Sequence, residues 1–261
     1  MNPVAQPETN ELLDEVLGYI KEGQIVNEFC KHRLIKAVKN QPTLERKHAL
    51  LSLIYTSVGD KQKARENAYQ ALKYIEQPAT ITNALMSFQL NGLNLDIINV
   101  IHDKVNLLDD LNFAKVFIPF LISFPNISCI ERIESMLVKT NKLSNYSDNW
   151  DELMMFMKNA DIADKKYGID KNVIGEISRQ VAGITQNFND VILNYSNLSL
   201  SPSKEWFSLI YYVELEDEVL TDLNWELADK MIEMGLDELP LVARFEIVPS
   251  NEKSLREQYV C

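Results

Sequence analysis

Residues 43–78 read TLERKHALLSLIYTSVGDKQKARENAYQALKYIEQP, and this stretch decides how the first half of the chain is understood. Apolar side chains recur here at three- and four-residue spacing, the signature of amphipathic helix. The first helix places Leu44, Leu51, Tyr55 and Val58 on one stripe. Gly59-Asp60 makes the turn, because glycine accepts the backbone angles that end a helix. The second helix puts Ala64, Ala68 and Ala71 on one face, with Leu72 and Ile75 beside them. Small residues there let the two helices approach closely, so the stretch is expected to be a helix hairpin.

Before this stretch, Leu13, Val16, Leu17 and Ile20 line one face of an earlier helix. A break near Gly23 precedes a second helix carrying Phe29, Leu34, Ile35 and Val38, which Gln41-Pro42 ends. Downstream, 81–90, 95–105, 111–124 and 127–138 read as helices separated by short breaks, as expected of antiparallel neighbours. They form either an irregular solenoid or a compact bundle. A further helix spans 149–165, with Asn149 as its expected cap and Glu152 three residues on. Residues 169–186 continue the helical pattern.

The periodicity then changes. Val191, Leu193 and Tyr195 alternate, and after Ser201-Pro202-Ser203 so does WFSLIYYVEL, with Phe207, Leu209, Tyr211, Val213 and Leu215 on one face and Trp206, Ile210, Tyr212 and Glu214 on the other. A helix over 219–234 buries Leu220, Leu223, Leu227, Met231 and Met234, and a third strand covers 241–248. The expected fold is mostly α: a helical-hairpin array over 1–165, then a small α+β domain over 166–261 in the order β-β-α-β.

The 43–78 hairpin resembles a tetratricopeptide repeat, a 34-residue helix–turn–helix unit. Leu51, Tyr55, Gly59, Ala64, Ala71 and Leu72 stand at that family's spacing. His48 stands where the family often has Trp, Ala68 replaces an aromatic residue, and Pro78 comes two positions late. The resemblance covers one repeat, and one repeat cannot bury its own faces, so the flanking helices must act as diverged repeats or caps. It implies protein or peptide binding through first helices, with His48, Ser52, Tyr55 and Thr56 as the expected partner-binding positions. Lys63, Asn67 and Tyr69, on the second helix, suit that surface less.

Charge is distributed unevenly. Residues 1–78 hold 11 Lys/Arg against 10 Asp/Glu, whereas 204–238 hold 2 against 11, within a chain of net charge −12. Such a surface repels phosphate backbones and disfavours nucleic acid. It suits a basic protein. An immunity- or antitoxin-like protein neutralising a basic toxin through Glu226, Asp229 and Glu233 is therefore the alternative to an adaptor. The same acids also keep a helix soluble and favour its N-terminus.

Catalytic signals are sparse. His32, His48 and His102 sit in helices outside any hydrolase or zinc motif, and the 8 glycines form no phosphate-binding run. Cys30, Cys129 and Cys261 are far apart, with no zinc spacing, and fit a reducing cytoplasm. Glu214, Glu216, Asp217, Glu218 and Asp222 crowd one strand end and leave a metal-dependent enzyme as a third reading. Trp150, Met154, Met155, Phe156 and Met157 are expected mainly in the core. The N-terminus lacks a secretory pattern, and the longest apolar run, VFIPFLISF at 116–124, is about half a membrane span. The expectation is a non-catalytic cytoplasmic protein without cofactor, with self-association left open.

Overall fold

The computed structural model describes residues 5–23, 26–140, 148–188, 191–215 and 217–249. Eleven α-helices and one 3-10 turn among them are joined at the C-terminal end by a three-stranded sheet, so the protein is mostly α with a small α+β part. The chain forms two compact units, one up to Leu93 and one from Asn94 onwards. That division precedes the 165/166 boundary expected from the change of periodicity, because helices of the middle region pack on the sheet.

In the first unit, α1 (Ala5–Lys21) and α2 (Glu28–Val38) form one pair, and α3 (Leu44–Ser57) and α4 (Lys61–Ala71) a second. Each pair is antiparallel. Glu15 meets Arg33 and Tyr19 reaches Cys30 in the first. His48 meets Asn67 and Tyr55 lies under Lys63 in the second. Gly59 turns the second pair at φ +74°, and Asp60 caps α4 by accepting from the Lys63 N–H. Ala64, Ala68 and Ala71 are fully buried, as the small-residue face requires.

The expected stripe on α3 is not its buried face. Leu44 is 50 % exposed, and Leu51, Tyr55 and Val58 are only partly covered, whereas Ala49, Leu50, Leu53 and Ile54 are buried. The reason is that α3 is a central helix. It packs against α1, α2, α4 and α5 (Pro78–Leu90) and is enclosed around most of its circumference. Phe29 on α2 is 79 % exposed, while Leu34 and Val38 are buried.

α3 and α5 run parallel, and their hydrogen bonds keep a constant offset. Glu45 accepts from Thr80 Oγ1, Ser87 Oγ donates to the Ser52 carbonyl at 3.4 Å, and Asn91 Nδ2 donates to Thr56 Oγ1 at 2.9 Å, each pair 35 residues apart. The Gln77 side chain makes no cap for α5. Glu45, 2 % exposed, takes that role from α3 by accepting from the backbone N–H groups of Glu76 and Gln77 at 2.9 and 3.0 Å. A carboxylate suits a helix N-terminus because it satisfies donors that the helix leaves open.

In the second unit, α6 (Asn94–Asp103), α7 (Leu111–Ser123), α8 (Ile127–Lys139), α9 (Asp148–Tyr167) and α10 (Lys171–Asn187) precede β1 (Ile192–Leu200), β2 (Phe207–Glu214), α11 (Asp217–Glu233) and β3 (Leu241–Ile247). Asn149 lies inside α9 rather than capping it, since the helix has begun by Asp148. The apolar run 116–124 belongs to α7, whose Phe117, Ile118, Phe120 and Leu121 are core. No helix among the described residues is long and apolar enough to cross a membrane. Trp150, Phe156 and Met157 are buried as expected, but Met155 is 60 % exposed.

The sheet has the order β1-β2-β3, with β1 and β2 antiparallel and β2 and β3 parallel. Phe207, Leu209, Tyr211 and Val213 are buried on one face of β2. Tyr211 stands 3.0 Å from Ser178 Oγ of α10, and burial holds its phenol well above the ordinary tyrosine range. Side chains bond backbone groups on both outer strands. On β1, Ser123 Oγ and Asn159 Nδ2 donate to the carbonyls of Asn194 and Leu198 at 2.5 and 2.7 Å. On β3, the Asn224 carboxamide of α11 accepts from the Phe245 N–H at 2.8 Å and donates to the Phe245 carbonyl at 3.1 Å. Each such bond interrupts the run of free backbone groups that an incoming strand would need.

Candidate functional site

Three helices of the first unit leave a groove with a cavity of about 140 Å³. Its lining is Asn10 and Leu13 from α1, Arg46, Ala49 and Leu50 from α3, and Gln77, Ala79, Thr80 and Asn83 at the start of α5. The spacing is regular. Asn10, Arg46 and Thr80 stand at steps of 36 and then 34 residues, and so do Leu13, Ala49 and Asn83. Turns of α1, α3 and α5 therefore meet along one groove.

Packing explains why the groove stays open. Ala49 carries only a methyl group where α1, α3 and α5 converge. Glu45 and Arg46 are neighbours in sequence with separate roles. Glu45 turns into the α5 N-terminus, whereas Arg46 lines the groove and has no ion pair among the described residues. The floor is apolar through Leu13, Ala49 and Leu50. The remaining lining adds Ala79, Thr80, the Arg46 guanidinium and three carboxamides, Asn10, Gln77 and Asn83. A carboxamide both donates and accepts, which suits the alternating polar groups of a peptide backbone.

The positions expected from the family resemblance lie elsewhere on α3. His48 Nδ1 is 2.9 Å from Asn67 Oδ1, between α3 and α4. The Tyr55 ring faces α4, with Lys63 Nζ 5.5 Å from its centroid. Ser52 is fully buried, with its hydroxyl donating to the Ala49 carbonyl at 2.7 Å, so it is closed to a partner. Thr56 is partly buried against α5, 2.9 Å from Ser87 Oγ, and accepts from Asn91. His48, Tyr55 and Thr56 join α3 to its neighbours, and Ser52 bonds within α3. The groove residues escaped sequence reading because equivalent positions hold unlike side chains: Leu, Ala and Asn at one level, Asn, Arg and Thr at the other. Only the packing of α1, α3 and α5 brings them together.

The acidic positions are on α11. Glu226 is partly buried, Asp229 is exposed, and Glu233 is exposed and paired with Lys230 at 2.6 Å. The Glu233 carboxylate, with Glu226 and Asp229 nearby, raises the Lys230 ammonium above its ordinary range. Of the crowded acids before this helix, Glu216 lies outside the described residues, as do the side chains of Asp217 and Glu218. Glu214 accepts from Asn194 Nδ2 at 3.3 Å. No group of three or more potential metal ligands is present among the described residues.

His32 and His102 are exposed beside Glu28 and Asp103. Cys129 is buried, which raises its thiol above the ordinary range, and Cys30 is partly buried. Cys261 lies outside the described residues. Thiol reactivity needs a thiolate, which burial opposes at Cys129. Compared with known proteins, the chain matches no family model, no curated protein and no solved structure.

Proposed function

We propose that this protein is a non-catalytic interaction module that holds a peptide or extended protein segment in the groove between α1, α3 and α5. One observation carries the reading: three helices present equivalent turns to one groove at steps of 36 and 34 residues. The 35-residue offset of the α3–α5 hydrogen bonds supports the same repeating arrangement. The proposal includes the tetratricopeptide-like reading, with α1/α2 as a diverged first pair and α5 as the opening helix of the next. Repeats of this kind bind along the concave side of stacked helices.

The lining specifies the kind of segment. An apolar side chain would enter above Leu13, Ala49 and Leu50. Its flanking backbone would bond the carboxamides, and Arg46 would take a carbonyl or carboxylate. Such a segment comes at little entropic cost when the groove is already formed.

Selection of a random displayed-peptide library on the full chain tests this. The enriched peptides should carry an apolar anchor. Arg46→Glu and Ala79→Trp, which reverse the groove's charge and fill its mouth, should each weaken them by at least about tenfold while circular dichroism stays unchanged. Failure to enrich any peptide, or enrichment insensitive to both changes, overturns the reading.

A further inference from the structure

α11 carries a second surface, built from residues the groove does not use. Helices of this kind normally turn their large apolar side chains inward, and Leu223, Leu227 and Met231 do so. Trp225 and Ile232 do not. They are 66 % and 59 % exposed. Seven residues apart, they sit on one side of the helix, separated by about 10 Å along its axis, with Ala228 between them. Single exposed apolar residues are ordinary on protein surfaces. A tryptophan and an isoleucine on one stripe form a continuous ridge, which is not.

A stripe of carboxylates runs beside that ridge. Asp222, Glu226, Asp229 and Glu233 follow one another at steps of four, three and four, the spacing of a single helical row. Only Lys230 opposes them on this helix, and Glu233 holds it.

We propose that this face of α11 docks a basic amphipathic helix of a partner protein. Its apolar row would pack against Trp225 and Ile232, and an adjacent Lys/Arg row would meet the four carboxylates. Charge selects this occupant. A second copy of the chain would bring four carboxylates against four, a like-charge contact that costs affinity. An added strand is not offered a free run of backbone, because Asn224 already takes both polar groups of Phe245 on β3. A helix is the form whose side-chain rows match two parallel rows on another helix. Tryptophan in such a contact is a frequent energetic anchor, flanked here by charges that steer association.

The test uses the full chain and a fluorescein-labelled synthetic helix of three turns or more, with leucine along one row and lysine along the next. Anisotropy should report saturable binding that weakens as salt rises from about 0.05 to about 0.3 M. Trp225→Ala/Ile232→Ala should weaken it about thirtyfold, and Asp222→Lys/Asp229→Lys about tenfold. All four side chains are exposed or on the helix surface, so circular dichroism should not change. Arg46→Glu, in the groove, should leave this binding unaltered, so that the two surfaces are tested separately. No binding, equal binding of a peptide with serine for leucine or glutamate for lysine, or insensitivity to the α11 changes overturns the proposal. Light scattering adds a last outcome: a dimer abolished by Trp225→Ala/Ile232→Ala would assign the ridge to self-association and overturn it as well.

Discussion

The helix array of the first unit and the sheet of the second use buried and half-buried polar side chains for opposite purposes. In the array, Glu45, Thr56 and Asn91 join neighbouring helices laterally and leave a groove between the helices they align. In the sheet, Ser123, Asn159 and Asn224 bond backbone groups of the outer strands and interrupt their edges. A helix satisfies its own backbone, so its side chains are free to set spacing. An edge strand does not, so its neighbours must supply the missing partners. The two proposed contacts follow this division: between helices in the first, and on the outside of α11 in the second.

The largest break in that comparison should come from Glu45→Ala. It leaves two backbone N–H groups and the Thr80 hydroxyl without their acceptor, at an expected cost of about 3 kcal/mol. Glu45→Gln keeps an acceptor oxygen and should recover most of the loss in urea denaturation. If Gln is as damaging as Ala, the cap is not what sets the α3–α5 register. Asn224→Leu should cost about 2 kcal/mol and expose the middle of β3. Hydrogen exchange at the Phe245 amide should accelerate, and concentration-dependent association should appear. A stable monomer with a slow Phe245 amide would show that β3 is protected by other means.

The smallest effect sharpens the contrast between buried and exposed polar links. Lys171 at the start of α10 pairs with Asp161 of α9 and, at 3.1 Å, with Glu131 of α8. Its hydrogen bond holds the Asp161 carboxyl below the ordinary carboxylate range. A folded-state value below the unfolded one of about 4 stabilises the protein above that pH, and the gain is lost as pH falls through the folded value. Asp161 is 43 % exposed, so screening keeps the contribution well under about 1 kcal/mol. Lys171→Met should therefore lower the urea midpoint slightly at neutral pH and not at all in strong acid. A deficit independent of pH would point to lost packing of the lysine stem.

Helices and strands were legible because their periodicities differ. Ala64, Ala68 and Ala71 announced a close-packed face, and the β-β-α-β order followed from alternation around Phe207–Val213. The groove was not legible, since Leu13, Ala49 and Asn83 share a location and no chemistry. The stripe read on α3 misled for a related reason. A helix surrounded by four others buries polar Ser52 and Glu45 as readily as leucine, so apolar spacing alone could not orient it. The exposed ridge on α11 was hidden too. Trp225 and Ile232 are apolar, and nothing local distinguishes them from Leu223 and Leu227.

The order of amino acids alone determined which segments coil and which extend, where Gly59 stops a helix, and that acidic charge gathers near the C-terminal end. Those properties depend on residues within one or two turns of each other. Tertiary structure decided which side of α3 faces a groove, which helix caps α5, and which residues of α11 remain in water. Each of those depends on contacts between residues tens of positions apart, and burial is a property of the neighbours a side chain acquires.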